Sequence, residues 1–318
     1  MERITSMQQQ RTSRVSPLTA DLILLSVAAV WGGTFVAVKE AIAFMPPYTF
    51  LAIRFFIAGL FLAAIAGRRW QRLTGAAVRH SFMLGACLFG GYALQTIGLQ
   101  YTTSSHAGFI TGMSVVLVPL VGWLVHKQAP RSGVLAGVAM AVTGLGLLTL
   151  TDDLTVNPGD LLVLGCAFCF GLHIFLVGQV THRHDPMLLS IMQIIAVGIA
   201  CTAFSCFFDP PLAYDQFRSE VWTALALTAI PATSLAFLAQ MYFQKFTTAT
   251  RTALIFATEP VFALLFGIAL AGETLTLRGA FGGILVMAGI VVAEMVGAGE
   301  SEEVEQDAAC DGVDGRAA

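Results

Sequence analysis

The stretch TTATRTALIFATEPVFALLFGIALAGE, Thr247 to Glu273, decides how the chain reads. It is long enough to cross a bilayer, because a spanning helix needs about 20 mostly apolar residues at about 1.5 Å each. Near its middle stand a carboxylate and a proline, Glu259-Pro260. A counterpart lies earlier in the chain, displaced by 145 positions. Together these features point to a membrane protein made of two related halves with a polar site between them.

The composition agrees. Of 318 residues, 56% are hydrophobic and 12% charged, and the mean hydropathy is +0.77. A soluble domain carries about twice that charged share. The net charge of -3, with no basic cluster outside the apolar runs, gives no reason to expect nucleic acid as a partner. Cys87, Cys166, Cys169, Cys201 and Cys206 sit inside apolar runs, where free cysteine behaves as a small hydrophobe. No disulfide framework is expected. The chain has no G-x-x-x-x-G-K-[ST], H-E-x-x-H or G-x-S-x-G pattern, so we expect neither an enzyme nor a bound cofactor. The first apolar run, from Asp21 to about Val38, ends at Lys39-Glu40 without a small-residue cleavage site and reads as a span, not a leader.

Taken in order, the chain reads as a polar cytoplasmic arm over 1–17, then helices near 19–39, 48–66, 79–99, 105–126, 133–150, 160–179, 187–207, 221–243, 249–271 and 277–296. Turn signals separate them, among them Pro46-Pro47, Asn157-Pro158-Gly159 and Asp185-Pro186. Residues 299–318 form an acidic tail whose composition cannot bury a core. With the N-terminus inside, the inner segments hold Arg3, Arg11, Arg14, Arg68, Arg69, Arg72, Arg79, Lys127, Arg131, Arg183, Lys245, Arg251 and Arg316. The outer segments hold only Lys39, Arg218 and Arg278. This bias places both termini in the cytoplasm.

The repeat is the most informative feature. A shift of 145 brings Gln95 onto Gln240, Thr102-Thr103 onto Thr247-Thr248, Gly137 onto Gly282 and Gly144 onto Gly289. In the earlier part a shift of 139 brings Asp21-Leu22 onto Asp160-Leu161, Gly32 onto Gly171, Pro47 onto Pro186 and Gly59 onto Gly198. Each half then holds five helices, and an odd number inverts the second half. The fold class expected is an all-α membrane protein with ten transmembrane helices as two inverted five-helix repeats. Such repeats are a recurring plan of secondary transporters, with the site near the midplane.

The stretches VWGGTFVAVKEAIAFMPPYTFLAIRFFIAGL and TTATRTALIFATEPVFALLFGIALAGETLTLRGAFGGILVMAGIVV resemble the start and end of a pair of EamA domains. These belong to the drug/metabolite transporter superfamily. Trp31-Gly32, Arg54-Phe55-Phe56, Glu259-Pro260 and Gly272-Glu273 carry the resemblance. It implies two EamA-like repeats, 18–151 and 152–298, and movement of small metabolites, often outward and including amino acids. The first half departs from the pattern: Ser114-Val115 stands where the second has Glu259-Pro260, and Lys127-Gln128 replaces the Gly-Glu helix end.

The residues themselves give candidates for substrate binding or coupling. Glu259 lies halfway along a span, where a carboxylate is costly unless it faces a cavity or a partner. It contacts a substrate amine, couples protons, or caps backbone groups freed by Pro260. Trp31 stacks on a substrate or sits in the interface belt. Gln95 and Gln240, repeat partners, bond across a cavity or tie helices together. Tyr92, Thr111, Ser114 and Tyr242 are weaker candidates of the same kind. His173 shares a helix face with Cys166 and Cys169, but no fourth ligand is in view and no metal is expected. His173 reads as a cavity or packing residue. His106 and Arg251, repeat partners at opposite membrane sides, are gate candidates. Lys39 and Arg54 read as snorkelling to the headgroups, with steering or binding of a carboxylate as the alternative.

The function expected is a multi-pass carrier of the cell inner (plasma) membrane, exporting a small metabolite by alternating access. Its partners are the lipid bilayer, the substrate and, through Glu259, protons, and it works as a monomer or homodimer. Drug or lipid-precursor efflux is the alternative within transport. A membrane enzyme or sensor on the same scaffold is the alternative outside it.

Overall fold

A computed structural model of the chain describes residues 15–102, 104–149, 158–213, 216–271 and 276–293. The N-terminal arm before residue 15, the acidic tail, Gly272-Glu273 and the side chain of His106 lie outside the described residues. Among those residues every regular element is helical. Eight helical segments are long and apolar enough to cross a membrane. They are α1 (Pro17–Ala41), α2 (Pro47–Ile65), α3 (Gly75–Gly98), α4 (Ala107–His126), α6 (Pro158–Val180), α7 (Pro186–Phe208), α8 (Ser219–Phe246) and α9 (Ala249–Phe266). Two shorter apolar helices, α5 (Ser132–Leu147) and α10 (Leu277–Ala293), complete the bundle. Helices are the form that satisfies every backbone group within one segment, which a lipid environment demands.

The helices turn large apolar side chains outward. Phe207, Phe208, Leu60, Leu277, Phe281 and Ile284 are exposed, while Arg54, Gln193, Gln240, Gln244 and His173 are buried. This reverses the arrangement of a water-soluble protein and matches lipid outside with polar groups inside.

Close approach of backbones fixes the packing. A Cβ at Gly32 of α1 would stand 2.5 Å from the carbonyl oxygen of Glu259 and 2.9 Å from the nitrogen of Ala263. At Gly171 of α6 it would stand 3.1 Å from Cβ of Leu117, with the carbonyl of Ser114 at 3.7 Å. These are matching contacts under the sequence shifts, since Gly171 is the counterpart of Gly32 and Ser114 that of Glu259. Across α2 and α7, Gly59 faces Ile195 and Gly198 faces Phe56. Across α5 and α10, Gly137 meets Gly289 and Gly144 meets Gly282, so these two helices run antiparallel. Small residues that let helices approach this closely replace the hydrophobic driving force that lipid removes.

Four spans expected to be continuous are interrupted. The expected helix 249–271 forms two pieces, Ala249–Phe256 and Glu259–Ala271, with a turn at Ala257-Thr258. Pro260 has no N–H, and its ring clashes with the carbonyl four residues back in a continuous helix. It is accepted in the first turn of a new helix instead. The first span also breaks, at Gly33-Thr34, between Pro17–Gly32 and Phe35–Ala41. In α4 a turn at Met113 separates Ser104–Gly112 from Ser114–His126. In α8, Pro231 opens a π-helical stretch, Ile230–Leu235. The hydroxyls of Thr233 and Ser234 donate to the carbonyls of Thr228 and Ala229, which this widening would leave poorly paired.

The two glycine seats differ in what they tolerate. Gly32→Ala drives a methyl into backbone, and we expect it to lower stability by roughly 1–3 kcal/mol. Gly171→Ala meets a side chain that can shift, and we expect a smaller loss. Thermal unfolding of the two purified variants in one detergent checks this ranking, and an equal loss in both contradicts it.

Candidate functional site

Three of the helix breaks converge on one cavity of about 70 Å³. Trp31, Thr34 and Phe35 flank the break in α1; Thr111, Gly112 and Ser114 flank that in α4; Phe256, Glu259 and Pro260 flank that in α9. Gaps in the helical ladder bring unpaired backbone groups, which are tolerated at membrane depth only inside protein or against a water-filled space.

The wall is aromatic with polar groups set into it. Trp31 packs against Phe237 at 5.5 Å and against Phe256 at 4.9 Å between ring centroids. Tyr92 meets Phe170 edge-on at 5.2 Å and Phe55 at 5.0 Å. The Trp31–Phe237 pair is the repeat counterpart of the Phe170–Tyr92 pair. The indole Nε1 of Trp31 donates to the carbonyl of Ala232 in the π-helical stretch, 2.8 Å away. That bond fixes the ring in the cavity wall and removes it from the interface belt.

Arg54 corrects the snorkelling expectation. It is 2% exposed, well inside α2, and it lines the cavity. Its Nε donates to Oγ1 of Thr233 at 2.8 Å, and its Nη2 reaches the hydroxyl of Tyr92 at 3.4 Å. The guanidinium carbon also stands 4.8 Å from the centre of the Tyr92 ring, a cation–π distance. With these partners a buried cation no longer needs to reach the headgroups. A lone arginine within an apolar span was the signal for this role, because intramembrane charges face cavities or partners.

Glu259 begins the second piece of α9 and faces the cavity. Its carboxylate accepts no hydrogen bond from the described residues, so it does not cap the groups freed by Pro260. Thr258 takes that place, its carbonyl accepting from the nitrogens of both Val261 and Phe262. The carboxylate stands in the first turn of a helix, where the macrodipole favours negative charge.

Gln95 donates to Oγ1 of Thr111 at 3.1 Å, bridging α3 and α4 within the wall. Gln240 donates to Gln244 at 3.0 Å, and Gln244 donates to the carbonyl of Ile174 at 2.6 Å. His173 bonds through Nε2 to Oε1 of Gln193 at 2.9 Å. Gln193 occupies the repeat position of Arg54, so α2 and α7 each present one long polar side chain toward the middle of the bundle. Trp31, Tyr92, Gln95, Thr111, Ser114, His173, Gln240 and Glu259 thus share one cavity. Tyr242 does not. It is 42% exposed, edge-on to Phe243 and close to the amine of Lys245. Two helical residues beyond Gln240, it points to nearly the opposite face. Arg251 lies away from the cavity in an ion pair with Asp21.

A bundle of apolar helices around an aromatic-walled cavity with polar groups set into it fits a membrane transporter. The chain belongs to the EamA-like transporter family, whose model matches it twice, over residues 18–150 and 157–295. It is similar to an "Uncharacterized transporter" of Archaeoglobus fulgidus, at 35% identity over 288 residues, covering 91% of this chain and 90% of that one. It is also similar to the "Uncharacterized inner membrane transporter YedA" of Escherichia coli K12, at 24% identity, covering 84% of this chain and 87% of YedA. A solved crystal structure shares its fold with a TM-score of 0.73 at 19% identity, covering 87% of this chain and 97% of that chain.

The different surroundings of the two charges give opposite stability effects. Glu259→Gln removes no hydrogen bond and ends the cost of a carboxylate at membrane depth, so we expect unchanged or raised stability. Thr233→Val strips Arg54 Nε of its acceptor, and we expect a loss of roughly 1–3 kcal/mol. Unfolding curves of the two variants in detergent decide it, and a Glu259→Gln loss equal to that of Thr233→Val would give the carboxylate a structural role.

Proposed function

We propose that the protein is a ten-span secondary carrier of the cytoplasmic membrane with both termini inside. Residues 18–151 and 152–298 form its inverted repeats. The paired glycine contacts and the antiparallel α5–α10 seat support the inversion. The excess of inner lysine and arginine supports the orientation. The halves rock to expose the cavity alternately to each side.

The cargo proposed is a small metabolite that carries both an amine and a carboxylate, amino acids and related compounds included. The observation that carries this reading is the presence of Arg54 and Glu259 on different walls of one cavity. A guanidinium already oriented by Thr233 and Tyr92 suits a carboxylate. An unbonded carboxylate suits an ammonium group or an exchangeable proton. The rings of Trp31, Phe170, Phe237 and Phe256 suit an apolar portion of the same compound. That ring-lined volume also favours a second reading, efflux of drugs or lipid precursors. The outward direction rests on the family resemblance.

Counterflow in proteoliposomes loaded with a mixed metabolite pool, read by mass spectrometry, tests the proposal. We expect exchange of compounds bearing both charges, lost in Arg54→Gln. Glu259→Gln should flatten the dependence of exchange on pH. Retention of every compound by the wild-type protein argues against the carrier reading. Exchange of neutral or purely cationic amphiphiles alone favours the second reading.

A further inference from the structure

We infer that Asp21 and Asp160 are the paired latches of the two gates, a role that rests on the alternating-access reading above. The two carboxylates are repeat counterparts, each in the first turns of the first helix of its half. Each ties the start of its helix to the other half, through partners of different kind. Arg251 Nη2 donates to Asp21 Oδ2, joining the start of α1 to the start of α9. At the other end, Thr102 Oγ1 donates to Asp160 Oδ1 at 2.6 Å, joining the start of α6 to the α3–α4 connection. Thr102 also accepts, through its carbonyl, from Nζ of Lys39 at 2.7 Å.

Lys39 stands near the end of α1 and Asp21 near its beginning. The two latches therefore lie at opposite ends of the α1 span, about 27 Å apart by helical rise. The cavity is not centred between them. Its wall reaches Val38 and Leu99, beside the Lys39–Thr102–Asp160 group. Toward Asp21 it stops at Trp31, below which Leu24, Val27 and Ala28 are packed against Ala253, Ile255 and Phe256. The Asp21–Arg251 pair lies beyond that packed zone and ties its two walls, α1 and α9, together. The Asp160 latch lies at the mouth that the cavity approaches. Breaking one pair frees one end, and breaking the other frees the opposite end, so removing the two carboxylates biases the carrier in opposite directions.

The test reads sidedness and needs no substrate. In full-length protein with its six cysteines replaced by serine, Ser114→Cys places a reporter in the cavity wall. A membrane-impermeant maleimide is applied to right-side-out and inside-out vesicles. We expect Asp21→Asn to raise labelling from the Asp21 side by roughly 5-fold or more, the lower range of coupling between states. Asp160→Ala, which removes the acceptor of Thr102 Oγ1, should lower labelling from that side and raise it from the other. The exchange Asp21→Arg with Arg251→Asp should restore the parent rates, and Arg251→Gln should reproduce Asp21→Asn by an independent route. Parent labelling from both sides, with no opposed shifts in the variants, overturns the latches and leaves the carrier intact. Labelling confined to one side in the parent and all variants overturns both the latches and alternating access.

Discussion

The seat of Gly32 against the backbone of Glu259 and Ala263 is the contact on which the cavity depends. In lipid, apolar area gives helices little reason to associate, so close van der Waals packing must hold them. A side chain at residue 32 would push α1 away from α9. That displacement would move Trp31 away from Phe256 and Glu259 away from the other cavity walls. The indole of Trp31 is anchored in turn to Ala232, in the π-helical stretch of α8. Thr233 of the same stretch accepts from Arg54. One glycine contact, one indole bond and one widened helical turn therefore set the places of both charged groups.

Breaking a helix in a membrane exposes donors and acceptors that lipid cannot satisfy. The interruptions in α1, α4, α8 and α9 all lie where protein groups answer them. Thr34 Oγ1 donates to the carbonyl of Trp31, Thr258 Oγ1 to that of Ile255, and Ser234 Oγ to those of Ala229 and Ala58. The cavity and the breaks thus require each other. Helices that were continuous all round would leave no turn for Glu259 to begin, and a break facing lipid would not be stable.

Much of this was legible in the sequence because lipid imposes a simple code. Apolar length gave the eight long helices, and the spacing of glycines and glutamines gave two related halves, which the two family matches support. Gln95 and Gln240, picked out as repeat partners, do lie in one cavity wall. The place of Arg54 was not legible from position alone. Hydropathy gives depth only approximately, and the direction of a side chain around its helix depends on which neighbours pack there. Tyr242 shows the same limit, since its ring character suggested the cavity while its helical phase turned it outward. The turn before Glu259 was encoded by Pro260, but the choice between a kink and a full break depended on Thr258, whose carbonyl starts the new helix.

Where the repeats differ is the more telling part of the design. Gly32 and Gly171 make matching contacts, and so do Gly59 and Gly198, so the scaffold is nearly symmetric. The cavity wall is not. Arg54 stands opposite Gln193 under the repeat, Glu259 opposite Ser114, and Tyr92 opposite Phe237. A carrier needs symmetry in its frame, because the two end states are then close in energy and neither traps it. A symmetric wall, however, would offer an asymmetric solute two equivalent and poorly matched poses. On the proposed reading, one cation in the first half and one anion in the second give a single polarity to the bound compound and leave the helix contacts that rock undisturbed. A charge at only one member of two of these pairs, Arg54–Gln193 and Glu259–Ser114, is what those two demands acting on the same duplicated fold would produce.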